Sequence, residues 1–411
     1  MATSAPADRI ASMDFLRGVA VMGILVANLP GFALPSAYFS PLAWGGSTGA
    51  NLWIWFATYV LIEGKMRGLF SVLFGASMLL VIERANREGK NAAGVHYRRM
   101  ATLFVIGAIH LYLFWSGDIL NHYAIVGSVA FLFVRLPVRW LLTCAGVLLA
   151  LQVAAEIMAS QSYFESAARD TPAKIETWNG FASAFGVPPP AEVTAELAAR
   201  RGGFIESNVY RWKHEVSPLN GIMQLGMQTL SAMLLGMAGY RSGFLTGRWT
   251  RSRYRRWAAV SLAVSLPIYV ALAYNTVAQG FFGPWVFFDS ILAAEVPRSM
   301  MVIGYTALLM LLMRPGTWVT TRIAAVGRAA FTNYLGTTLM MTFIFSGWGL
   351  GQFGYWSRAQ LYLLVPVAWA MMLCWSKPWL DRYRFGPMEW VWRSISRLKP
   401  QPMRKQTDAI S

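Results

Sequence analysis

Cysteine, histidine and acidic residues are scarce in this sequence of 411 residues. There are two Cys, four His, and 19 Asp and Glu against 36 Lys and Arg. Cys144 and Cys374 both lie in apolar runs, so a disulfide framework, a zinc site or an iron–sulfur site has almost nothing to build it, and no metal is expected. Charged residues make up 13% of the chain, about half the ~25% of soluble proteins. That shortage excludes disordered, collagen-like and repeat-solenoid readings and argues against a soluble globular fold. P-loop, H-E-x-x-H, C-x-x-C and strand-led dinucleotide motifs are missing too.

What is abundant is apolar surface: 56% of residues belong to the set AVILMFWYC, and mean hydropathy is +0.42. The pattern predicts an all-α, polytopic membrane helix bundle. About ten runs approach the ~20 apolar residues that a bilayer core requires. They lie near 15–34, 51–82, 100–117, 119–135, 138–158, 219–240, 257–276, 290–313, 329–347 and 359–377. The second is too long, ~48 Å as a single helix against a core of ~30 Å. Gly64 and Gly68 are its expected break points.

The net charge of +17 could point to nucleic acid, but the basic residues sit in the gaps between apolar runs, and that function class is rejected. With the N-terminus inside, the inner segments carry 25 Lys and Arg and the short outer ones carry one. Short loops set orientation, so both termini are expected in the cytoplasm. The chain divides into an N-terminal bundle (1–158), an extracytoplasmic insertion (159–218), a C-terminal bundle (219–378) and a basic amphipathic tail (379–411). The insertion reads either as a surface loop with helices resting on the membrane or as a lid.

Charges inside a membrane are costly and mark candidate sites. Asp14 and Arg17 are spaced to pair at the mouth of the first span. Glu63 and Arg67 are spaced to neutralise one another, leaving Lys65 to find another partner; an internal ion pair holding two helices is the bland alternative. His110 stands deep in the third span, with Asp118 and His122 at the outer start of the fourth. A carboxylate that orients an imidazole makes it a better base, although a lone His is often only hydrogen-bonded. Asn28 could donate to an oxyanion or join two helices. Glu295 and Arg298 flank Pro297 in a polar kink.

The blocks Arg9-Ile10-Ala11-Ser12-Met13-Asp14-Phe15-Leu16-Arg17-Gly18 and Glu63-Gly64-Lys65-Met66-Arg67-Gly68 recur in a known order. So do Gly117-Asp118-Ile119-Leu120, Gly327-Arg328-Ala329-Ala330-Phe331-Thr332-Asn333-Tyr334 and Gly386-Pro387-Met388-Glu389-Trp390-Val391-Trp392-Arg393. Together they resemble the YeiB-like bacterial inner-membrane proteins of domain-of-unknown-function family 418. The opening block also resembles the transmembrane acyltransferase superfamily, which includes heparan-alpha-glucosaminide N-acetyltransferase and polysaccharide O-acetyltransferases. That likeness implies transfer of an acyl group, in the first place acetyl, from cytoplasmic acyl-CoA to a glycan or lipid hydroxyl or amine. One departure matters: no His follows Asn28 between Pro30 and Ala50, where the glucosaminide enzyme has its catalytic His.

On this reading His110, Asp118, Asn28 and Glu63 are the catalytic candidates. Asp14, Arg17, Lys65, Arg67, His122, Glu295 and Arg298 are the substrate-binding candidates. Arg328 and Asn333 are the acyl-CoA-binding candidates, with the basic segment 241–256 attracting phosphates. Expected partners are membrane lipids, acyl-CoA and the acceptor; an oligomer is left open. The alternatives are a proton-coupled transporter for a small solute, working through Glu63, His110 or Asp118, and a scaffold for a membrane complex. The orientation is testable first. In a Cys-free background, Thr250→Cys should resist an impermeant maleimide in intact spheroplasts and react after permeabilisation. Labelling in intact spheroplasts would overturn the topology.

Overall fold

The computed structural model describes residues 10–35, 39–214 and 218–405. Helix α1 (Ala11–Ala33) is apolar over most of its surface, with Asp14, Arg17 and Asn28 as exceptions, and sixteen of its 23 residues are buried. A helix so largely apolar belongs in the interior, and α1 is the axis of the bundle. It ends where Leu34, which precedes Pro35, turns extended.

The over-long second run does break. Helix α2 (Gly49–Leu61) and α3 (Lys65–Arg87) are separated at Gly64, whose φ of +70° suits glycine. Gly68 is an ordinary residue within α3, so one of the two expected break points is corrected.

Helix α4 (Ala92–Leu113) starts on an Asn91 side chain that accepts from the Gly94 amide. Next come α5 (Leu120–Ala130) with a 3₁₀ end, and α6 (Val138–Ser166). The 159–218 segment folds into the end of α6, α7 (Pro172–Phe185), α8 (Pro190–Arg201) and α9 (Phe204–His214). Its aromatics are packing residues: Phe181 stacks on Tyr163 at 4.5 Å, and Phe185 meets Phe287 edge-on.

Helices α10 (Pro218–Arg241) and α11 (Arg251–Ala278) lead to α12 (Gly283–Phe287) and a π-helical turn at Phe288–Leu292. The chain then forms α13 (Glu295–Leu312), α14 (Trp318–Arg328) and α15 (Ala330–Phe345). It closes with α16 (Arg358–Tyr362), α17 (Leu364–Arg382) and α18 (Pro387–Ser396). Trp379, expected at the start of the tail, belongs to α17.

The protein is thus an all-α, multi-pass membrane bundle, but the expected ten spans are corrected. Among the described residues, six helical stretches are long and apolar enough to cross: Ala11–Ala33, Gly49–Arg87, Val138–Ser166, Arg251–Ala278, Glu295–Leu312 and Arg358–Arg382. Helix α15 has 16 residues, ~24 Å at 1.5 Å per residue, and α5 with its 3₁₀ end is shorter still. Helices α4 and α10 are long enough, but carry His96, Arg98 and Arg99, and Gln224, Gln228 and Thr229, respectively. Both nevertheless keep an exposed side, with Val105 and Ile109 on α4 and Met223 on α10. Likewise α11 exposes Val260, Val264 and Ile268, and α17 exposes Val367 and Met371, stripes suited to lipid.

Two crossings fix how the helices meet. A Cβ on Gly327 would lie 1.8 Å from the Asp14 carbonyl oxygen, and one on Gly18 would lie 2.0 Å from that of Ile323. So α1 and α14 touch backbone to backbone. Helices α3 and α10 do the same through Gly75 and Gly236, whose Cβ atoms would lie 2.1 and 1.8 Å from the carbonyl oxygens of Met233 and Val72. Small residues at such contacts let membrane helices pack without a hydrophobic driving force.

Gly327→Ala should therefore destabilise the protein by roughly 1–3 kcal/mol or more. Gly336→Ala, which meets nothing within 4 Å, should be neutral or stabilising. Thermal unfolding in nanodiscs separates the two, and equal midpoints would refute this packing.

Candidate functional site

The apolar axis α1, with α3, α4, α15 and α18, encloses a cavity of about 470 Å³. Phe70 and Arg84 both line it and stand ~21 Å apart along α3. The deep part is apolar, with Ile24, Phe70, Phe74, Leu103 and Leu120. The other part carries six arginines (17, 84, 99, 328, 384 and 393) against two carboxylates, Asp14 and Glu389, a net excess of four positive charges.

Each arginine is held by its own element. Arg17 bonds Asp14 at 3.0 Å and Ser77 Oγ at 2.7 Å, so the expected Asp14–Arg17 pair exists and faces the cavity. Arg84 pairs with Glu88 at 2.7 Å. The Arg99 guanidinium lies over the Trp392 ring at 4.1 Å, and that of Arg393 over Phe385 at 4.6 Å.

The wall made by α18 is docked through a carboxylate. Glu389 accepts from the backbone amides of Phe331 (2.7 Å) and Thr332 (3.2 Å) and from the Thr332 hydroxyl (2.6 Å). It thereby caps the positive N-terminal end of α15 from a distant part of the chain. Trp392 Nε1 donates to the Arg99 carbonyl at 3.0 Å. Burial pushes the Glu389 carboxyl above the ordinary carboxylate range despite its donors. Burial, with Arg397 nearby, lowers the Arg393 guanidinium to about 10.

Beyond the apolar end stands the histidine. His110 Nδ1 lies 2.7 Å from Asp118 Oδ1, and both side chains are almost fully buried. The return from α4 to α5 brings them together, and Asp118 Oδ2 is fixed by the Asn121 amide at 3.0 Å. Against a carboxylate that only accepts, Nδ1 is the donor nitrogen, so in the neutral imidazole Nε2 is the one that keeps a lone pair. His110 does not itself line the cavity. Tyr334, which does, packs its ring 5.5 Å from the imidazole. His110 Nε2 is buried with no hydrogen-bond partner among the described residues.

A second polar cluster lies elsewhere in the bundle. Arg67 donates to Gln228 Oε1 at 2.6 Å, Gln228 Nε2 donates to Glu295, and Glu295 pairs with Arg298 at 2.5 Å. Lys65 Nζ donates to the Tyr59 carbonyl at 2.5 Å and sits 3.3 Å from the centre of the Tyr269 ring. His122 is bonded to Thr229 at 2.8 Å.

The expected substrate-binding residues thus fall into two groups. Asp14 and Arg17 reach the cavity, whereas Lys65, Arg67, His122, Glu295 and Arg298 do not line it. Asn28 and Glu63 are half-buried and also do not line it. Of the two residues expected at acyl-CoA, Arg328 lines the cavity. Asn333 instead ties α15 to Val326, Ser376 and Trp375. The 241–256 segment does not line it either, and Arg241 clamps the carbonyls of Val134 and Leu136. Sequence reasoning passed over Tyr334, Glu389, Trp392 and Arg393 as individual site residues, although all four stand in the recurring blocks.

A family model described as "Protein of unknown function (DUF418)" matches residues 239–399, which include Arg328, Tyr334 and the whole of α18. "Uncharacterized protein YeiB" of Escherichia coli (strain K12) is 29% identical, covering 97% of this chain and 99% of its own length. "Uncharacterized protein YxaH" of Bacillus subtilis (strain 168) is also 29% identical, covering 97% of each. The chain is a multi-pass membrane protein similar along its length to these two proteins, and the DUF418 model matches its C-terminal part. The match to both relatives runs end to end, so the cavity's early residues, Asp14 and Arg17, fall within it. A bacterial membrane setting agrees with these sources. The printed names and family description give no activity. Among the described residues, no three His, Cys, Asp or Glu gather as metal ligands.

Glu389→Ala should loosen α18 by about 1–3 kcal/mol, the scale for hydrogen bonds to a charged group. Trypsin should then cut at Arg393 and Arg397 faster than in the wild type, and an unchanged rate would show that the carboxylate does not dock the helix.

Proposed function

We propose that this protein is a membrane acyltransferase that takes acyl-CoA into the arginine-rimmed cavity and passes the acyl group to a hydroxyl or amine acceptor. The cavity carries the reading. It joins an arginine-rich part to an apolar part that reaches Tyr334, whose ring packs against His110 of the His110–Asp118 pair. A net excess of positive charge in a partly buried wall favours a ligand with several phosphates. Arginines stacked on aromatic rings give it planar donors and an adenine-sized apolar surface. The resemblance of the opening block to the transmembrane acyltransferases points the same way.

The chemistry asked of the protein is modest. His110 Nε2 takes the proton of the acceptor as its oxygen or nitrogen forms a bond to the thioester carbonyl carbon. The carbon–sulfur bond then breaks, and the same proton passes to the leaving thiolate, so charge and protons balance. Asp118 holds the tautomer and stabilises the imidazolium. Tyr334, whose ring packs against the imidazole and whose buried hydroxyl lies near the Ile119 backbone, replaces Asn28 as the candidate donor to the carbonyl oxygen.

A proton-coupled transporter is the second reading, favoured by the buried Arg67–Gln228–Glu295–Arg298 series. Direct binding separates the two readings. Acetyl-CoA should bind wild-type protein in nanodiscs, and Arg99→Ala combined with Arg393→Ala should weaken it by tenfold or more, about 1.4 kcal/mol. His110→Gln should leave that binding unchanged and lower transfer by ~10²–10⁴-fold. Full transfer by a folded His110→Gln protein would move the base elsewhere.

A further inference from the structure

Between Glu215 and Asp289 the chain has no acidic residue, and its six basic residues there all fall within 241–256. Two of the six hold the fold together. Arg241 clamps the carbonyls of Val134 and Leu136, and Arg251 donates to the Leu311 carbonyl at 3.3 Å, at the end of α13. The other four, Arg248, Arg253, Arg255 and Arg256, are exposed. Among the described residues, none of these four pairs with a carboxylate.

Helix α11 sorts them by face. Tyr254, Ala258, Ser261, Ser265 and Tyr269 form its buried side. Arg253, Arg256, Trp257, Val260, Val264 and Ile268 share a different face, since at 3.6 residues per turn they fall within about 120° of one another. The last four are 43, 55, 44 and 37% exposed. From Trp257 to Ile268 the stripe runs ~16 Å, one leaflet of a ~30 Å core. Trp257 thus stands where aromatic side chains anchor at the interface, and Arg253 lies ~6 Å farther out, at headgroup level. The Arg253 guanidinium is held 3.6 Å from the centre of the Trp249 ring, and Trp249 Nε1 donates to the Ser242 carbonyl at 2.9 Å. A guanidinium stacked on a ring by its face keeps its N–H edges for an anion. Both arginines stand in the first two turns of α11, at the positive end of its dipole.

We propose that this face of α11 binds an anionic phospholipid. The phosphodiester lies on Arg253 and Arg256, and an acyl chain lies along Val260, Val264 and Ile268. Charge selects the headgroup: guanidinium groups with no carboxylate to answer them favour a net anion over a zwitterion, whose own cation would meet the arginines. The apolar stripe selects a lipid over a free phosphate, which would gain nothing from it. None of these residues lines the arginine-rimmed cavity, so the site is independent of the acyltransferase reading.

The test places bimane on Val264→Cys in a Cys144→Ser, Cys374→Ser background, in phosphatidylcholine nanodiscs. Phosphatidylglycerol or phosphatidylcholine with brominated acyl chains is added at equal mole fraction, and quenching gives their relative association at the label. The anionic lipid should be favoured by roughly tenfold. Arg253→Ala with Arg256→Ala should bring the two lipids near parity, and Arg253→Lys with Arg256→Lys should keep most of the preference. Bimane on Val147→Cys, on the exposed side of α6, should show parity. Preference for phosphatidylglycerol at both labels, or at neither, overturns the site. So does a preference at Val264→Cys that survives the double alanine variant. The four arginine side chains are exposed, so unfolding midpoints should match the wild type and serve as the control for folding.

Discussion

The architecture hangs on backbone contact at four glycines. In lipid, burying an apolar face against another helix gains little, because the acyl chains are as apolar as leucine. What remains is close packing, and it works where a side chain is missing. Gly18 with Gly327 and Gly75 with Gly236 bring α1 onto α14 and α3 onto α10. The first contact sets the bend between α14 and α15. That bend places Arg328 on the cavity wall and leaves the α15 amides open to Glu389. Spreading that crossing by one methyl group would shift the arginine, the helix end and the docking of α18 together.

The cavity concentrates positive charge where a membrane protein would ordinarily spread it. Asp14 and Glu88 answer Arg17 and Arg84, and aromatic faces answer Arg99 and Arg393. Glu389 lies in the same wall, yet its hydrogen bonds go to the end of α15. One carboxylate thus serves as a structural cap and leaves the guanidinium groups available to an anion. This division of labour joins the C-terminal helix to the site: without Glu389 the wall carrying Arg384 and Arg393 has lost its main polar anchor.

Much of this was legible in the chain itself. Low charge and long apolar runs gave the all-α membrane class, and the length of the second run gave a break at Gly64. The spacing of Asp14 and Arg17 gave their pair, because i and i+3 fix two residues on one helix face. The contact of His110 with Asp118 was only open to sequence as an antiparallel return, since eight residues across a turn set no distance. The span count failed because an apolar run in sequence does not report where its helix starts and stops or how polar groups are spaced along it. Helix α15 has 16 residues and α10 carries Gln224, Gln228 and Thr229, although both keep apolar residues at the surface, Leu339 and Phe343 on α15 and Met223 on α10. The basic loop 241–256 misled for a related reason. Density of arginine in sequence reports the membrane side, whereas the cavity draws its six arginines from five separated segments.

The two polar regions of the bundle differ in a way that bears on function. The Arg67–Gln228–Glu295–Arg298 series is joined group to group, an arrangement that holds helices at fixed separation, although Glu295 Oε1 and Arg298 Nε keep no hydrogen-bond partner among the described residues. Around His110 the accounting is left open: Nδ1 is satisfied, while Nε2 is not. A buried polar atom without a partner is expensive, and a fold that leaves His110 Nε2 so, beyond the apolar end of the cavity, has not minimised its own energy there. A substrate that supplies the missing hydrogen bond recovers that cost on binding. The Asp118 contact then sets which nitrogen it meets, a lone pair and not an N–H, and for a group that must receive a proton that choice decides whether the site can act at all.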